Sequence, residues 1–476
     1  MYPVNYNQFH RESKVTENKN SIFRSAFLKL GESILDYSKH QNYKGNRFIR
    51  MSIKIALLAD LCGKNAEALY REFAEIVFLR TLHYLNSQIQ PDAVVLTGSA
   101  EKLTEKQLAA VREASAEFKM PFLSMTPGIG DFNIVYTDVK KTPFVIEGLP
   151  WFKQNKSAYY RIPKKLTEKD TNEGIIALSN HTAGACVRFR SDSPVIVIRA
   201  KLAYSSDMNH MPRAGSAGFD SYCKPDGGKQ LYNKTVQPGR DQIDIEALLG
   251  VNPRKGMCDW QVNLPLYGGV DTVEIGIVKN SRLEKPTPHK VAAPVLFYGS
   301  SITQGGCASR PGNAYSSMLC RAVDAPQVNL GFSGSARGEE ALAREIGKLK
   351  LAAFVYDYDH NAPSAEHLEK THEKFFRIIR ELQPELPVIM LSRCDYADHP
   401  DCNRRREIVR TTYRNAVQNG DRNVYFIDGE TLFGRKMRDA CTVDGCHPND
   451  LGFYRMHKHV LPVLKKILKK SARKGV

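Results

Sequence analysis

The sequence has no apolar run of the roughly 18 residues that a membrane-spanning helix needs, which argues against an integral membrane protein. Its ten cysteines form no Cys-x-x-Cys pair and no Cys/His cluster with the spacing of a zinc site. The polar segment 1–10 is not followed by the apolar stretch of a secretory signal. These absences predict free thiols in a reducing compartment and a cytoplasmic location.

The composition is that of a folded chain of several domains. The chain has 476 residues, 42% of them hydrophobic and 25% charged, and about 150 residues per domain predicts about three domains. The net charge is +17, but no basic motif interleaved with aromatic residues accompanies it, so no nucleic-acid partner is expected. Residues 1–50 are polar and are assigned no role, and the oligomeric state is left open.

Residues 51–140 alternate between short apolar runs and amphipathic stretches, which predicts an N-terminal α/β segment. The expected strands are 53–59, 93–96 and 121–125, and the expected helices are 66–88 and 105–118. The turns after the three strands resemble the metal-binding turns of calcineurin-like metallophosphoesterases. Asp60 is kept, but other ligand positions of that family hold Cys62, Ser99, Ile129 and Gly130.

A dinuclear metal site needs several oxygen and imidazole ligands that converge on the ions. The replacements in residues 51–140 leave too few of them, so the resemblance implies a fragment whose metal ligands are largely lost. No metal is expected there. An active, metal-dependent phosphoesterase is the alternative interpretation of this segment.

Residues 145–290 lose the helical periodicity and show short alternating runs between turn residues. The strand-like runs are 187–190, 195–202 and 273–277, and one of the turns is Tyr267-Gly268-Gly269. This pattern predicts a β-sandwich of the jelly-roll kind.

Residues 291–476 return to an alternation of buried strands and helices. The expected strands are 295–299, 328–331, 353–357, 388–391 and 424–427, and the clearest helix begins after the N-cap Ser364. Strands that helices separate in this way predict a parallel five-stranded sheet with helices on both faces.

The ends of these strands carry residues suited to acyl transfer. Ser301 follows the first strand, where a tight strand-to-helix turn exposes a hydroxyl. His447 can take its proton, and Asp444 lies three residues before that histidine on the same loop. Gly334 and Asn361 follow the second and third strands and offer amide donors for an oxyanion. Each residue alone would more often be a cap or loop residue, but their joint placement favours a catalytic site.

The order Ser, Gly, Asn, Asp-x-x-His resembles the SGNH (GDSL-type) hydrolases, whose catalytic domain is flavodoxin-like. The resemblance implies that Ser301 is the nucleophile, His447 the general base and acid, and Asp444 the orienting carboxylate. It also implies an oxyanion hole built from Ser301, Gly334 and Asn361. Two departures bear on specificity: Ser300 replaces the Asp of the GDSL name, and Asp-His rather than Gly precedes Asn361.

The middle region, with Gly218-Phe219-Asp220-Ser221-Tyr222, resembles the N-terminal domain of GxDLY-type SGNH proteins. Asp220 and Tyr222 are candidates for shaping the substrate entrance, with a structural turn as the alternative. His360, beside Asn361, is a candidate for lining the pocket.

These residues predict a serine esterase that needs no metal or organic cofactor. The resemblance implies a small acyl ester as substrate, with an O-acetyl group on a carbohydrate as the substrate class suggested by analogy. Two alternatives remain open at this point: an acyltransferase that uses the same triad, and a non-catalytic binding protein.

Overall fold

The N-terminal unit is described only as three short strands. The computed structural model describes residues 76–81, 90–96, 122–124, 134–254, 256–394 and 401–474. The chain divides into two compact units, residues 1–133 and 134–476. In the first unit, β1 (Ile76–Thr81) is antiparallel to β2 (Gln90–Leu96), which is parallel to β3 (Phe122–Ser124).

The helix predicted over residues 66–88 is wrong where the structure describes it, because β1 lies within that range. The β1 sequence, Ile-Val-Phe-Leu-Arg-Thr, is rich in β-branched and aromatic residues, and a short apolar run of this kind fits a strand as well as a buried helix. Strands are present as predicted within 93–96 and 121–125. The candidate metal-turn residues lie outside the described residues, so the metallophosphoesterase resemblance stays a prediction.

The described part of residues 134–290, called the middle domain here, contains ten strands and two short helices. They are β4 (Ile134–Asp138), β5 (Val145–Glu147), α1 (Glu173–Leu178), β6 (Cys186–Ser191), β7 (Val195–Leu202), α2 (Arg213–Ser216), β8 (Phe219–Pro225), β9 (Leu231–Val236), β10 (Asp244–Val251), β11 (Cys258–Asn263), β12 (Val270–Val278) and β13 (Leu283–Glu284).

The middle domain consists of two antiparallel sheets with one shared core. The strand orders are β10-β7-β12-β4 and β13-β6-β11-β8-β9, and β5 pairs with β6. Phe189 and Trp260 of one sheet lie in the same buried cluster as Ile198 and Ile275 of the other. Two antiparallel sheets with a shared core are compatible with a β-sandwich, and the predicted β-sandwich of the jelly-roll kind stays a prediction.

Strand β4 belongs to the middle domain, which therefore starts earlier than the sequence pattern predicts. The sequence pattern assigns Ile134–Asp138 to the N-terminal segment 51–140, but β4 pairs with β12 from Ile134↔Val278 to Asp138↔Glu274. The middle domain therefore begins at residue 134 rather than 145. The pairing joins residues far apart in the chain, so no local pattern reveals it.

The C-terminal domain, residues 291–474, alternates strands and helices. They are β14 (Val295–Gly299), α3 (Ser301–Gln304), α4 (Tyr315–Val323), β15 (Gln327–Gly331), α5 (Glu340–Gly347), β16 (Ala353–Asp357), α6 (Ala365–Leu382), β17 (Val388–Leu391), α7 (Cys402–Gln418), β18 (Val424–Ile427), α8 (Gly429–Leu432) and α9 (Asp450–Lys474).

The five strands form one parallel sheet in the order β15-β14-β16-β17-β18, which confirms the predicted flavodoxin-like architecture. Alternate residues of β14 face opposite cores: Leu296 and Tyr298 pack in one cluster, and Val295 and Phe297 in the other. Helix α6 begins after Ser364 as predicted, since that side chain accepts a hydrogen bond from the His367 amide. The carboxyl ends of the strands therefore share one edge of the sheet.

Two further expectations can be compared with the described residues. Within them, no helix is both long and apolar enough to cross a membrane. The nine cysteines from Cys186 to Cys446 are free thiols.

Candidate active site

Ser301 occupies a tight turn between β14 and α3. Gly299 ends the strand, and a Cβ there would lie 2.0 Å from the carbonyl oxygen of Asp357, so only glycine fits. Ser300 caps the helix, because its Oγ accepts a hydrogen bond from the Ile302 amide at 3.2 Å. Ser301 is thus the first residue of α3, where its own amide has no carbonyl four residues earlier in the helix to bond.

His447 and Asp444 lie on the loop before α9 and complete a chain of hydrogen bonds to Ser301. The distance from Ser301 Oγ to His447 Nε2 is 2.9 Å, and the distance from His447 Nδ1 to Asp444 Oδ2 is 2.7 Å. The carboxylate fixes the Nδ1–H tautomer, which leaves Nε2 as the acceptor for the serine hydroxyl. This arrangement can remove the serine proton during attack on a carbonyl.

The loop holds Asp444 in its ionised form. Its Oδ1 accepts hydrogen bonds from the amides of Cys446 at 3.0 Å and His447 at 2.7 Å. Partial burial acts to raise the pKa of Asp444, but the hydrogen bonds from His447 and Cys446 outweigh it and place that pKa below its usual range. Asp444 is therefore an anion across the neutral pH range and can stabilise an imidazolium.

Two of the three predicted oxyanion residues, Gly334 and Asn361, lie together but bond to each other. The Gly334 amide donates to Asn361 Oδ1 at 3.1 Å, and Asn361 Nδ2 donates to the Phe332 carbonyl at 2.8 Å. The Gly334 amide is thus occupied in this structure and must exchange Asn361 for a substrate oxygen to act as predicted. The second N–H of Asn361 and the Ser301 amide are the remaining donors of the predicted set.

Comparisons with known proteins agree with this geometry. Residues 292–465 match the model of the GDSL-like Lipase/Acylhydrolase family, and residues 134–283 match the model described as the N-terminus of SGNH hydrolase-type esterases. A GDSL-like lipase from Bacteroides ovatus is 28% identical with a TM-score of 0.63, over 71% of this chain and 98% of that chain. These matches identify the chain as a carboxylic ester hydrolase.

A second structural relative shares the fold of the esterase. It is the salicylyl-acyltransferase SsfX3 from a tetracycline biosynthetic pathway, which is 19% identical with a TM-score of 0.55. The match covers 69% of the esterase and 95% of that chain. No curated protein matches the sequence.

Residues of the middle domain support the nucleophile turn of the esterase. Gln304, one helical turn after Ser301, accepts a hydrogen bond from the Ser333 amide at 3.0 Å and lies 3.0 Å from His181 Nδ1. The hydroxyl of Tyr267 lies 3.5 Å from the Ser301 carbonyl oxygen. Sequence reasoning missed these contacts, because it interpreted Tyr267 only as part of a turn and did not single out His181 or Gln304.

Arg161 lies in the connection between β5 and α1 and forms hydrogen bonds to the end of β15. Its completely buried guanidinium donates to the carbonyls of Asn329 at 3.1 Å, Gly331 at 2.6 Å and Leu178 at 2.8 Å, and it lies over the Phe332 ring. Burial lowers the pKa of Arg161 to about 9, so the group remains a cation at neutral pH. It fixes the strand end that leads to Gly334.

Asp220 and Tyr222 lie on strand β8, not in a turn, and both contact Arg310 of the C-terminal domain. Asp220 is completely buried, and it accepts hydrogen bonds from Asn263 Nδ2 at 2.7 Å, Arg310 Nη1 at 2.8 Å and the Gly312 amide at 2.9 Å. Arg310 also donates to the Tyr222 hydroxyl. The predicted substrate-binding role is wrong for Asp220, since a side chain without exposure cannot contact a substrate.

Replacing Asp220 by alanine is expected to lower the free energy of unfolding by about 3–5 kcal/mol, because it leaves the half-buried Arg310 guanidinium without its carboxylate. Urea denaturation would measure the change. The control is Asp226→Ala, which breaks an exposed ion pair with Arg190 and should cost less than about 1 kcal/mol. Equal losses in the two variants would contradict the anchoring role of Asp220.

His360 is placed in a buried acidic cluster at the end of β16. Its Nδ1 lies 3.4 Å from Asp359 Oδ1, and its side chain is 7% exposed. Asp357 Oδ2 accepts hydrogen bonds at 3.1 Å from both Tyr315 and Thr303. Burial raises the pKa of Asp357 to about 7. The cluster lies under the turn that carries Ser301, so a packing role for His360 fits these contacts better than the predicted pocket-lining role.

Proposed function

We propose that the esterase cleaves a small acyl ester through an acyl-enzyme on Ser301. The observation that carries this proposal is the unbroken pair of hydrogen bonds, 2.9 and 2.7 Å long, that joins Ser301, His447 and Asp444. Ser301 Oγ attacks the ester carbonyl while His447 Nε2 takes its proton and then passes it to the leaving alcohol. Water activated by His447 then releases the acid and restores the serine.

The proposed oxyanion donors are the amides of Ser301 and Gly334 and the side chain of Asn361. The carbonyl oxygen becomes negatively charged in the tetrahedral intermediate, and donors at about 3 Å stabilise that charge. For Gly334 this requires the bond to Asn361 Oδ1 to open when substrate binds. Gly334 has a positive φ of +66°, and a Cβ built there would meet no described atom within 4 Å, so this side of the loop is not packed against other residues.

We propose an O-acetyl group on a carbohydrate as the substrate class. The rim of the site at His447 is polar, because Asp444 and His210 are both exposed there. A polar rim suits an alcohol portion rich in hydroxyl groups, and a long apolar chain would gain little from it.

A panel of esters tests the substrate class. We expect kcat/KM for acetyl esters to exceed that for octanoyl esters of the same alcohol by about tenfold or more, and acetate to be released from acetylated sugars. Released acid is measured with and without an added acceptor alcohol, and with Ser301→Ala as background. A preference for octanoyl esters would contradict the small-acyl proposal, and a new ester as the main product would make the protein an acyltransferase.

A further inference from the structure

His210 of the middle domain lies beside the triad. It lies in a two-residue turn, and the flanking Met208 and Met211 pair as an isolated β-bridge. The ring centroids of His210 and His447 are 5.6 Å apart, with an angle of 59° between the rings. Among the described residues, the exposed His210 ring has no hydrogen-bond or ion-pair partner, so both of its nitrogens are available to a ligand.

Two imidazoles and one carboxylate converge beside the triad serine. One potential ligand atom each from His210, Asp444 and His447 lies within 4.8 Å of the other two. In a tetrahedral zinc site with metal–ligand distances of about 2.0–2.1 Å, ligand atoms are roughly 3.3 Å apart. The ligand atoms, now within 4.8 Å of one another, would reach the spacing of a zinc site if the exposed His210 turn moved by up to about 1.5 Å. Two imidazoles and a carboxylate are a set that zinc accepts with its fourth position open.

We propose that His210, Asp444 and His447 form an inhibitory binding site for a divalent transition-metal ion, with zinc as its occupant. The ligand chemistry selects against magnesium and calcium, because these ions prefer all-oxygen ligand sets. The site joins the two domains, since His210 comes from the middle domain and the other two ligands from the C-terminal domain.

Binding at this site blocks proton transfer. His447 uses Nε2 toward Ser301 and Nδ1 toward Asp444, so both of its ring nitrogens belong to the triad. A metal bound to Nδ1 and Asp444 replaces the hydrogen bond between them, so the ring proton of the neutral imidazole moves to Nε2, which can then no longer accept the serine proton. The inhibition rests on the proposed function of the triad, whereas the binding of zinc does not.

Calorimetry tests the binding without any need for activity. Zinc chloride is titrated into tag-free Ser301→Ala protein, which keeps all three ligands, and we expect one ion per chain. Adding His210→Ala should weaken the affinity by more than about 10-fold, since even changes outside the ligand shell cost 10–100-fold. The matched control is His459→Ala, an exposed histidine on α9. Unchanged zinc affinity after His210→Ala would overturn the proposal.

Kinetics of the wild-type chain test the inhibition. We expect zinc to abolish ester hydrolysis reversibly, with activity restored by EDTA and unaffected by magnesium or calcium. The inhibition midpoint of the His210→Ala variant, taken relative to that variant's own rate without zinc, should rise by more than about 10-fold. Equal inhibition of both proteins, or activation by zinc, would overturn the proposed role. If no ester is hydrolysed at all, the proposed function fails, and calorimetry alone decides the metal site.

Discussion

Replacing Ser301 by alanine is expected to lower kcat/KM for an acyl ester on the order of 10⁵-fold, because no acyl-enzyme can form. The variant should remain folded, since the Ser301 side chain makes one hydrogen bond, to His447. The residual rate would come from binding and from the oxyanion donors alone.

Labelling with a fluorophosphonate followed by intact-mass measurement tests the same residue without knowledge of the substrate. Wild type should gain one adduct, and Ser301→Ala should gain none. Ser300→Ala is the matched control: it removes the cap of α3 at a cost of about 1 kcal/mol but keeps the nucleophile, so it should still be labelled. An adduct on Ser301→Ala, or none on folded wild type, would contradict the assignment of the nucleophile.

The triad could be predicted from the sequence because each member follows a recognisable strand or lies in a short motif. Ser301 comes directly after β14, and Asp444 and His447 are three residues apart on one loop. The parallel sheet then brings these segments to one edge, a rule that holds for every sheet of this kind. Local pattern and general topology were sufficient to predict that these side chains lie together, whereas their catalytic roles rest on the resemblance and stay a prediction.

The contribution of the middle domain could not be predicted in the same way. Arg161, His181, His210 and Tyr267 reach the nucleophile region through the contact between domains, and nothing in their sequence neighbourhoods indicates that contact. Asp220 shows the reverse case, because a motif residue with an expected place at the entrance is buried in the interface. The Asn361–Gly334 bond likewise depends on the positions of two loops that only the structure shows.

Replacing Asp444 by asparagine is expected to lower kcat about 10⁴-fold while leaving the loop intact. The asparagine Oδ1 can still accept the amides of Cys446 and His447, so the backbone keeps its hydrogen bonds. Its NH₂ group replaces the acceptor Oδ2 and cannot bond an Nδ1–H. The favoured tautomer of His447 then carries its proton on Nε2, where it cannot accept the serine hydroxyl proton.

Measuring activity and fluorophosphonate labelling as functions of pH would distinguish the wrong tautomer of His447 from a general disturbance of the fold. In wild type the lowered pKa keeps Asp444 ionised at neutral pH, and its stabilising charge is lost only as the pH falls through that lowered value. Asparagine has no ionisation, so raising the pH should not restore Asp444→Asn. The control is Asp439→Asn, which changes an exposed aspartate in the segment just before the loop and should behave as wild type. A loss of kcat of less than about tenfold in Asp444→Asn would mean that another group orients His447. A full loss that is confined to kcat and to the labelling rate would establish that this carboxylate sets the tautomer of the base.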